Sequence, residues 1–332
     1  MATTLIELKP EGLYCAPADV YIDPWKPVAR AIITHAHADH ARPGHKFYLA
    51  HHQSATVLRL RLGAGIHLST VGYGETFRIR GVQFSLHPAG HIPGSAQIKI
   101  SHKGESWVVS GDYKVEDDGL CTPFEPVRCH TFITESTFGL PVYQWRPQAE
   151  VFSEINDWWR QNQAAGKISL LSAYSLGKAQ RVLQGLDPTI GPIFTHGAVA
   201  NTNEALKQTG YRLTPTSRVQ QGQAKSLYKG GLVICPPSAL GTPWAKKFQP
   251  YSTGIASGWM QLRGQRRRRA ADRGFVLSDH ADWPGLLDAI AATGAERVLA
   301  THGYAAVLAK FLSDQGLEAQ EIQTFFDSET ED

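Results

Sequence analysis

A ten-residue stretch, AIITHAHADH at residues 31–40, constrains this chain more than any other part of its sequence. It begins with apolar, β-branched residues that are typical of a buried strand. His35 and His37 follow, and because side chains alternate along an extended backbone, the two imidazoles lie on the same side. Asp39 and His40 come next, in a turn, and can face a second point nearby. Imidazole nitrogens and carboxylate oxygens bind zinc and similar cations, and a chance cluster with this spacing is rare, so the stretch predicts a metal site.

The composition indicates a globular protein of the size of an enzyme. Of the 332 residues, 42% are hydrophobic and 19% are charged, enough for one large domain or two ordinary ones. The N-terminal residues lack the basic and apolar regions of a secretory signal, and no apolar run approaches the roughly eighteen residues of a membrane span. Four cysteines without CxxC spacing indicate reduced, mostly buried thiols. We therefore expect a cytoplasmic protein that does not associate with a membrane.

The small net charge of +3 conceals a strong asymmetry. Residues 201–273 contain 13 lysines and arginines but only Glu204 and Asp272 as acids, a local balance of +11 that leaves −8 for the rest of the chain. The same segment contains a run of four arginines, namely Arg266, Arg267, Arg268 and Arg269. A basic segment beside an acidic, metal-binding one predicts a polyanionic substrate, with the arginine run gripping a nucleic-acid backbone. The alternative is a solvated basic face without a partner.

Other residues that can bind metal or transfer protons follow apolar runs or lie in the adjoining loops. They are Asp23, His91, Asp112, Glu135, His280 and His302. Taken alone, His91 or Asp112 would more often be a turn residue, and so would Asp23, which precedes a proline. Together with the histidine-rich stretch they predict one site at the edge of a sheet, because functional residues collect in the loops at strand ends. Asp23 lies one strand before that stretch and could orient a ligand histidine from behind.

The pattern of predicted elements changes near residue 146. Before this point, short apolar runs separated by glycine and proline are typical of antiparallel sheets. After it, a helical pattern at residues 148–165 opens an alternation of strands and helices. Such an alternation indicates a parallel sheet with covering helices, so a second domain is expected to begin here.

A helix start in this second region has the features of an anion site. Tyr174 ends a predicted strand, Ser175 and Gly177 open the helix, and Lys178 lies in its first turn. Backbone N–H groups at a helix start, a hydroxyl and an ammonium can together hold a phosphate, which would suit a nucleic acid with a terminal 5′-phosphate. The alternative is an ordinary serine cap beside a solvated lysine.

Over nearly its whole length the chain resembles the metallo-β-lactamase superfamily and, within it, the β-CASP nucleases. The sequences THAHADH, AGHIPGSAQ and SGDY match the superfamily motifs, whereas TEST, SDHADW and THGY are similar to three motifs of the β-CASP group. SAYSLGKAQ at residues 172–180 is similar to a stretch of the DNA-repair nucleases related to Artemis and Apollo. The compact length resembles the bacterial ligase-associated DNA exonucleases. The resemblance implies an α/β fold, in which residues 1–145 and 273–332 form a four-layer αββα sandwich and residues 146–272 form an inserted α/β domain.

The resemblance also implies roles at the site. Two divalent ions, zinc or alternatively manganese, would be held by seven residues: His35, His37, His91, Asp39, His40, His302 and, between the two ions, Asp112. Asp39, Asp112, Glu135 and His280 would take part in catalysis, with Glu135 orienting His280 as the general acid for the leaving oxygen. Two such ions about 3.5–4 Å apart lower the pKa of a shared water and stabilise charge on the phosphoryl oxygens.

These features together predict a metal-dependent exonuclease that hydrolyses DNA from a 5′-phosphorylated end during DNA repair. Its partners would be single-stranded DNA or the ends of duplexes and, by resemblance, a DNA ligase and a helicase. An RNA-processing nuclease of the same fold, similar to RNase J, is the alternative, because the DNA-repair relatives usually carry valine where this chain has His302. A small-molecule hydrolase or a catalytically idle nucleic-acid-binding module is less favoured, since neither explains both the basic segment and the complete ligand set.

Overall fold

The structure, a computed structural model, describes residues 4–262 and 271–324. Within these residues the chain forms two compact units. The first unit contains the residues up to Gln144 and those from His280 onward, and the second unit is Trp145–Asp279. The sequence predicts an inserted domain that ends at residue 272. Arg273–Phe275 forms a strand paired in parallel with Tyr251–Ala256, inside the sheet of the second unit.

One sheet of the first unit contains, among the described residues, six strands in chain order. They are β1 (Glu7–Lys9), β2 (Gly12–Cys15), β3 (Val20–Ile22), β4 (Arg30–Ile32), β5 (Phe47–His51) and β6 (Leu68–Val71). Strands β1 to β3 are antiparallel, as expected, whereas β3 to β6 pair in parallel. The parallel pairs were not predicted. They arise because the chain crosses over between strands, through helix α1 (Ala55–Leu62) in the case of β5 and β6, instead of turning back in a tight hairpin.

The other sheet of the first unit has seven strands within the described chain. They are β7 (Thr76–Ile79), β8 (Val82–Pro88), β9 (Ala96–His102), β10 (Glu105–Val109), β11 (Thr131–Glu135), β18 (Arg297–Thr301) and β19 (Glu318–Glu321). Strands β7 to β10 form an antiparallel meander, and β11, β18 and β19 continue the sheet in parallel. The strands after the meander therefore point the same way, and their carboxyl ends meet at one edge.

The two sheets pack face to face around a buried apolar core. Ile22 and Ile32 of the six-stranded sheet share a cluster with Phe84, Ile100 and Trp107 of the seven-stranded sheet. The opposite face of the seven-stranded sheet is covered by α6 (Trp283–Thr293) and α7 (Ala305–Asp314), whose apolar side chains form a second cluster with strand residues. Burial of both faces explains why central strands of this sheet carry consecutive apolar residues, such as Trp107–Val109 and Val298–Ala300, whose side chains enter the two clusters in turn.

The second unit is built on a parallel sheet. Its described strands are β12 (Ile168–Ser172), β13 (Ile193–Thr195), β14 (Ser217–Arg218), β15 (Leu232–Cys235), β16 (Tyr251–Ala256) and β17 (Arg273–Phe275), in the spatial order β14-β13-β15-β12-β16-β17. Its helices are α2 (Gln148–Ala164), α3 (Lys178–Gly185), α4 (Gly197–Gln208) and the short α5 (Pro243–Lys246). Neighbouring residues Leu170 and Leu171 of β12 enter different core clusters, as the alternation of side chains requires. The predicted α/β fold class is therefore confirmed.

Two further expectations concern thiols and membranes. Cys15, Cys121, Cys129 and Cys235 are all buried and form no disulfide. Among the helices in residues 4–262 and 271–324, none combines the length and the apolar character needed to cross a bilayer.

Candidate metal centre

Asp23, at the end of β3, fixes the loop that follows β4. Its Oδ1 accepts a hydrogen bond from the backbone N–H of Thr34 at 2.8 Å, and its Oδ2 accepts one from the Thr34 hydroxyl. The same Oδ2 lies 2.8 Å from Nδ1 of His40. Asp23 is 1% exposed and has a φ of +42°, a left-handed conformation that aspartate adopts more readily than most residues. A hydrogen bond from Nδ1 of His40 to this carboxylate fixes the ring and leaves Nε2 of His40 facing the other way.

Four predicted ligands converge at a first point. One donor atom from each of His35, His37, His91 and Asp112 lies within 4.8 Å of the other three. Asp112 Oδ2 is 3.4 Å from His35 Nε2 and 3.6 Å from His91 Nε2. His91 Nε2 lies 3.0 Å from His37 Nδ1. Three imidazoles and a carboxylate at this spacing form the donor set of a divalent cation.

The remaining predicted ligands converge beside the first group. Donor atoms of Asp39, His40 and His302 lie within 4.8 Å of one another. His40 Nε2 is 3.6 Å from Asp39 Oδ2, and the rings of His40 and His302 are stacked with centroids 5.1 Å apart. The second oxygen of Asp112, Oδ1, is 3.5 Å from His40 Nε2. Asp112 thus directs one oxygen at each group, as a bridging ligand must.

Two glycines directly beside candidate ligands occupy positions where the backbone requires glycine. Gly111, between β10 and Asp112, has a φ of +56°, and a Cβ placed there would lie 2.6 Å from the Thr34 hydroxyl oxygen. Gly303, directly after His302, has a φ of +56°, and its Cβ would lie 2.5 Å from the carbonyl oxygen of Ser136. Both glycines allow the strand-end loops to approach closely enough for the side chains beside them to meet.

Burial and mutual proximity set the charges in the centre. Desolvation, and after it the neighbouring His40, hold the pKa of His35 well below its usual range, and burial among other imidazoles does the same for His91. Burial lowers the pKa of His302 to about 4. Burial alone would raise the pKa of Asp112, but the imidazoles of His40 and His35 outweigh it and hold that pKa well below its usual range. Burial would lower the pKa of His40, but the carboxylates of Asp112 and Asp39 outweigh it and raise that pKa well above its usual range. Ionised Asp112 and neutral His35 and His91 are already in the protonation states that bind metal, whereas His40 must lose its Nε2 proton when a metal binds.

One observation tests whether these residues fit a metal. Within the described parts of the chain, His35 Nε2 and Asp112 Oδ1 are buried and make no hydrogen bond. Buried polar atoms without hydrogen bonds are costly, and here they face other electron-pair donors. A cation at each of the two groups would satisfy these atoms, so the residues fit.

A carboxylate–imidazole pair lies next to the bridging aspartate. His280 Nδ1 is 2.9 Å from Glu135 Oε2 and 3.1 Å from Oε1, and both side chains are buried. The backbone N–H of Tyr113 donates to Glu135 Oε1 at 2.7 Å, which fixes the carboxylate at the end of β11. Desolvation raises the pKa of Glu135. Donor atoms of Glu135, His280 and Asp112 lie within 4.8 Å of one another, so the pair borders the metal ligands.

The comparisons with known proteins agree with this geometry. The chain is 32% identical over 314 residues to a protein of Opitutus terrae named probable DNA ligase, covering 94% of this chain and 30% of that protein. It is 30% identical over 122 residues to endoribonuclease YSH1 of Yarrowia lipolytica, covering 36% of this chain and 14% of that one. It is 31% identical over 119 residues to RNase aCSPSF2 of Saccharolobus solfataricus, covering 35% and 24%. These similarities agree with the resemblance to the β-CASP group of the metallo-β-lactamase superfamily that the sequence motifs indicate.

The match is partial in two respects. The chain spans less than a third of the length of each of these three relatives. No family model matches it. The chain also has the fold of a crystal structure of a protein of unknown function from Enterococcus faecalis V583, with a TM-score of 0.59 and 11% identity, over 91% of this chain and 80% of that one.

The residues predicted to bind phosphate all lie in the second unit. Tyr174, Ser175 and Lys178 are buried where β12 leads into α3. The N–H of Gly177, at the start of α3, donates to the side chain of Gln180 at 2.7 Å. The phosphate assignment stays a prediction, and so does the nucleic-acid contact of Arg266, Arg267, Arg268 and Arg269, which lie outside the described residues.

The sequence analysis missed two residues around Lys178. Asp279 lies 3.1 Å from Lys178 Nζ, and Arg181 donates to the carbonyl of Ser278 at 2.6 Å. The available signals were an aspartate directly before the motif histidine His280 and a second cation one helical turn after Lys178. Neither identifies its partner in the sequence, because about a hundred residues separate the two segments along the chain.

Proposed function

We propose that this protein is a metal-dependent nuclease that hydrolyses phosphodiester bonds. The observation that carries the proposal is the pair of ligand groups joined by Asp112, with its two oxygens 3.4 Å from His35 Nε2 and 3.5 Å from His40 Nε2. Two divalent cations, zinc in the first instance and manganese as the alternative, would be held by the two groups. When bound, such ions supply a nucleophilic oxygen near neutral pH and neutralise charge on a phosphoryl group.

The residues of the chain carry out three tasks in this reaction. Burial keeps the imidazoles of His35 and His91 neutral, so that each can donate a lone pair. Asp112 stays ionised and contributes negative charge between the two groups. Glu135 accepts a hydrogen bond from Nδ1–H of His280 at 2.9 Å and thereby orients the ring. The protonated form of His280 then holds a second proton at Nε2, which it delivers to the leaving sugar oxygen.

We propose DNA as the substrate and a 5′-phosphorylated end as the point of attack. The similarity of SAYSLGKAQ to the DNA-repair nucleases and the +11 balance of residues 201–273 support a polyanionic, DNA-like ligand. The Opitutus terrae protein named probable DNA ligase carries a segment similar to 94% of this chain. A ligase and a nuclease-like segment in one protein support action in DNA end repair in the cytoplasm, in association with a ligase. The association with a helicase rests on resemblance alone.

An RNA-processing endonuclease or exonuclease is the second candidate. His302 belongs to the second ligand group, and its ring stacks on His40 at 5.1 Å. Two of the relatives are named as an endoribonuclease and an RNase. These observations favour RNA, and they are independent of those that favour DNA.

One experiment separates the candidates. Single-stranded DNA and RNA of one sequence, each with a 5′-phosphate or a 5′-hydroxyl and a 3′ label, are incubated with the purified protein and manganese or zinc. A ladder of shortened products on 5′-phosphorylated DNA alone is expected. Internal cuts on RNA would assign the protein to RNA processing, and no cleavage of either polymer with either metal would contradict the nuclease proposal.

A further inference from the structure

Helix α3 directs two buried cations at one short segment of the second unit. The side chains of Lys178 and Arg181, one helical turn apart, are each 1% exposed. Lys178 Nζ lies 3.1 Å from Asp279 Oδ1 and 4.4 Å from the centre of the Tyr174 ring. The Arg181 guanidinium donates to the carbonyl of Ser278 at 2.6 Å. Buried cations are tolerated only where they are paired, so these contacts fix the segment and the helix against each other.

The segment that α3 holds is the point at which the chain leaves the second unit. Asp279 is the last residue of that unit, and the next residue, His280, belongs to the first unit. His280 is held by Glu135 at 2.9 Å, and the following N–H, of Ala281, donates to the carbonyl of Tyr113 at 2.7 Å. The position of His280 therefore depends on fixed residues on both sides of it along the chain. A displacement of Asp279 reaches His280 through a single peptide bond.

We propose that Lys178 is a positioning residue for His280. Its ammonium holds Asp279, and Asp279 sets where the backbone delivers the imidazole that protonates the leaving oxygen. The inference rests on the proposed nuclease function and specifies what α3 contributes to it. It differs from the phosphate contact predicted from the sequence, because an ammonium that is 1% exposed and paired with a carboxylate has little access to a substrate phosphate.

The test uses the full chain loaded with manganese or zinc. The variants are Lys178→Met, Asp279→Asn, the double variant and, as a matched control, Lys310→Met. Lys310 also pairs with an aspartate, Asp314, but its side chain is 75% exposed. Cleavage rates are measured from limiting to saturating oligonucleotide, with a 5′-phosphate and with a 5′-hydroxyl, and thermal unfolding reports whether each variant is folded.

We expect kcat to fall about tenfold or more in Lys178→Met and Asp279→Asn, because small displacements of a catalytic group have effects of this size. KM should stay within about twofold with either DNA end. The double variant should be no slower than the slower single variant, because both substitutions break the same contact. If a single variant fails to fold, the double variant is used to test the inference, because neither charge is buried without its partner in it. Multiplied losses, or a rise in KM confined to 5′-phosphorylated DNA, would overturn the inference in favour of direct phosphate contact.

A second measurement does not depend on cleavage. With 15N-labelled histidine, the ring resonance of His280 is identified by its loss in His280→Gln. It should shift in the Lys178→Met variant and in the double variant, but not in Lys310→Met. An unmoved resonance overturns the inference whatever the activity. A shifted resonance in a protein that cleaves nothing supports the positioning contact and counts against the proposed function alone.

Discussion

The two units bury polar and charged groups in opposite arrangements. In the first unit, electron-pair donors face one another: Asp112 Oδ2 lies 3.4 Å from His35 Nε2 and 3.6 Å from His91 Nε2. In the second unit, a cation faces an anion, since Lys178 lies 3.1 Å from Asp279. The second arrangement is complete within the chain, whereas the first would be completed by the proposed cations. Polar groups are buried in both arrangements. A buried group that faces an opposite charge makes a structural contact, whereas buried groups that all offer electron pairs are suited to bind a cation.

The largest expected effect follows from removing a shared ligand. Asp112→Ala and His40→Ala each remove a donor atom from the two ligand groups, and we expect cleavage of any oligonucleotide to fall below detection. Asp112 directs an oxygen at both groups, and His40 belongs to the second group. The same variants should lose most of the rise in Tm that zinc or manganese gives the wild type, because a ligand stabilises only the state that binds it. Calorimetry of metal-free and metal-loaded protein measures this rise. A full metal-dependent rise in Asp112→Ala would contradict the assignment of the cluster.

The next effect tests the proton donor. His280→Gln should lower the rate on DNA by about 10²- to 10⁴-fold, the usual contribution of a general acid. The loss should be much smaller on the p-nitrophenyl ester of thymidine 5′-phosphate, because p-nitrophenolate leaves without being protonated. Steady-state rates on both substrates give the ratio. Equal losses on the two would mean that His280 acts on the metal ligands or on binding instead.

A stability measurement sharpens the contrast between buried and exposed ion pairs. Lys178→Met leaves Asp279 buried without its ammonium and should cost about 3–5 kcal/mol of unfolding free energy. Lys310→Met breaks the exposed i,i+4 pair with Asp314 and should cost no more than about 0.5 kcal/mol. Urea unfolding of the two variants and of Lys178→Met/Asp279→Asn provides the comparison. The double variant should recover part of the loss, and a double variant less stable than Lys178→Met would show that the two side chains do not depend on each other.

The sequence allowed the first arrangement to be predicted but not the second. The candidate ligands His35, His37, Asp39 and His40 lie within six residues. The remaining candidates follow β8, β10 and β18, whose carboxyl ends lie at one edge of the seven-stranded sheet. Local spacing and strand ends therefore carried enough information. The partner of Lys178 could not be found in this way, because Asp279 lies about a hundred residues further along the chain and nothing in its local pattern distinguishes an internal counter-ion from a surface turn residue. The parallel pairing of β3 to β6 was missed for a similar reason, since crossovers do not alter the apolar alternation within each strand.

The smallest effect concerns Asp23, which combines features of both arrangements: it is a buried anion with partners in the chain, and it contacts a proposed metal ligand. Asp23→Asn keeps the size of the side chain and tolerates the left-handed φ of +42°, so it removes the charge behind His40 and replaces one acceptor oxygen by an amide donor. We expect metal affinity to fall about 10- to 100-fold, as it does when the carboxylate behind a ligand histidine is lost. Titration calorimetry with zinc measures the change. Asp19→Asn is the matched control, because Asp19 also has a positive φ, of 54°, but binds Tyr14 and Arg30 at the surface. Equal metal affinity in the two variants would mean that Asp23 braces the loop through Thr34 alone and does not tune His40.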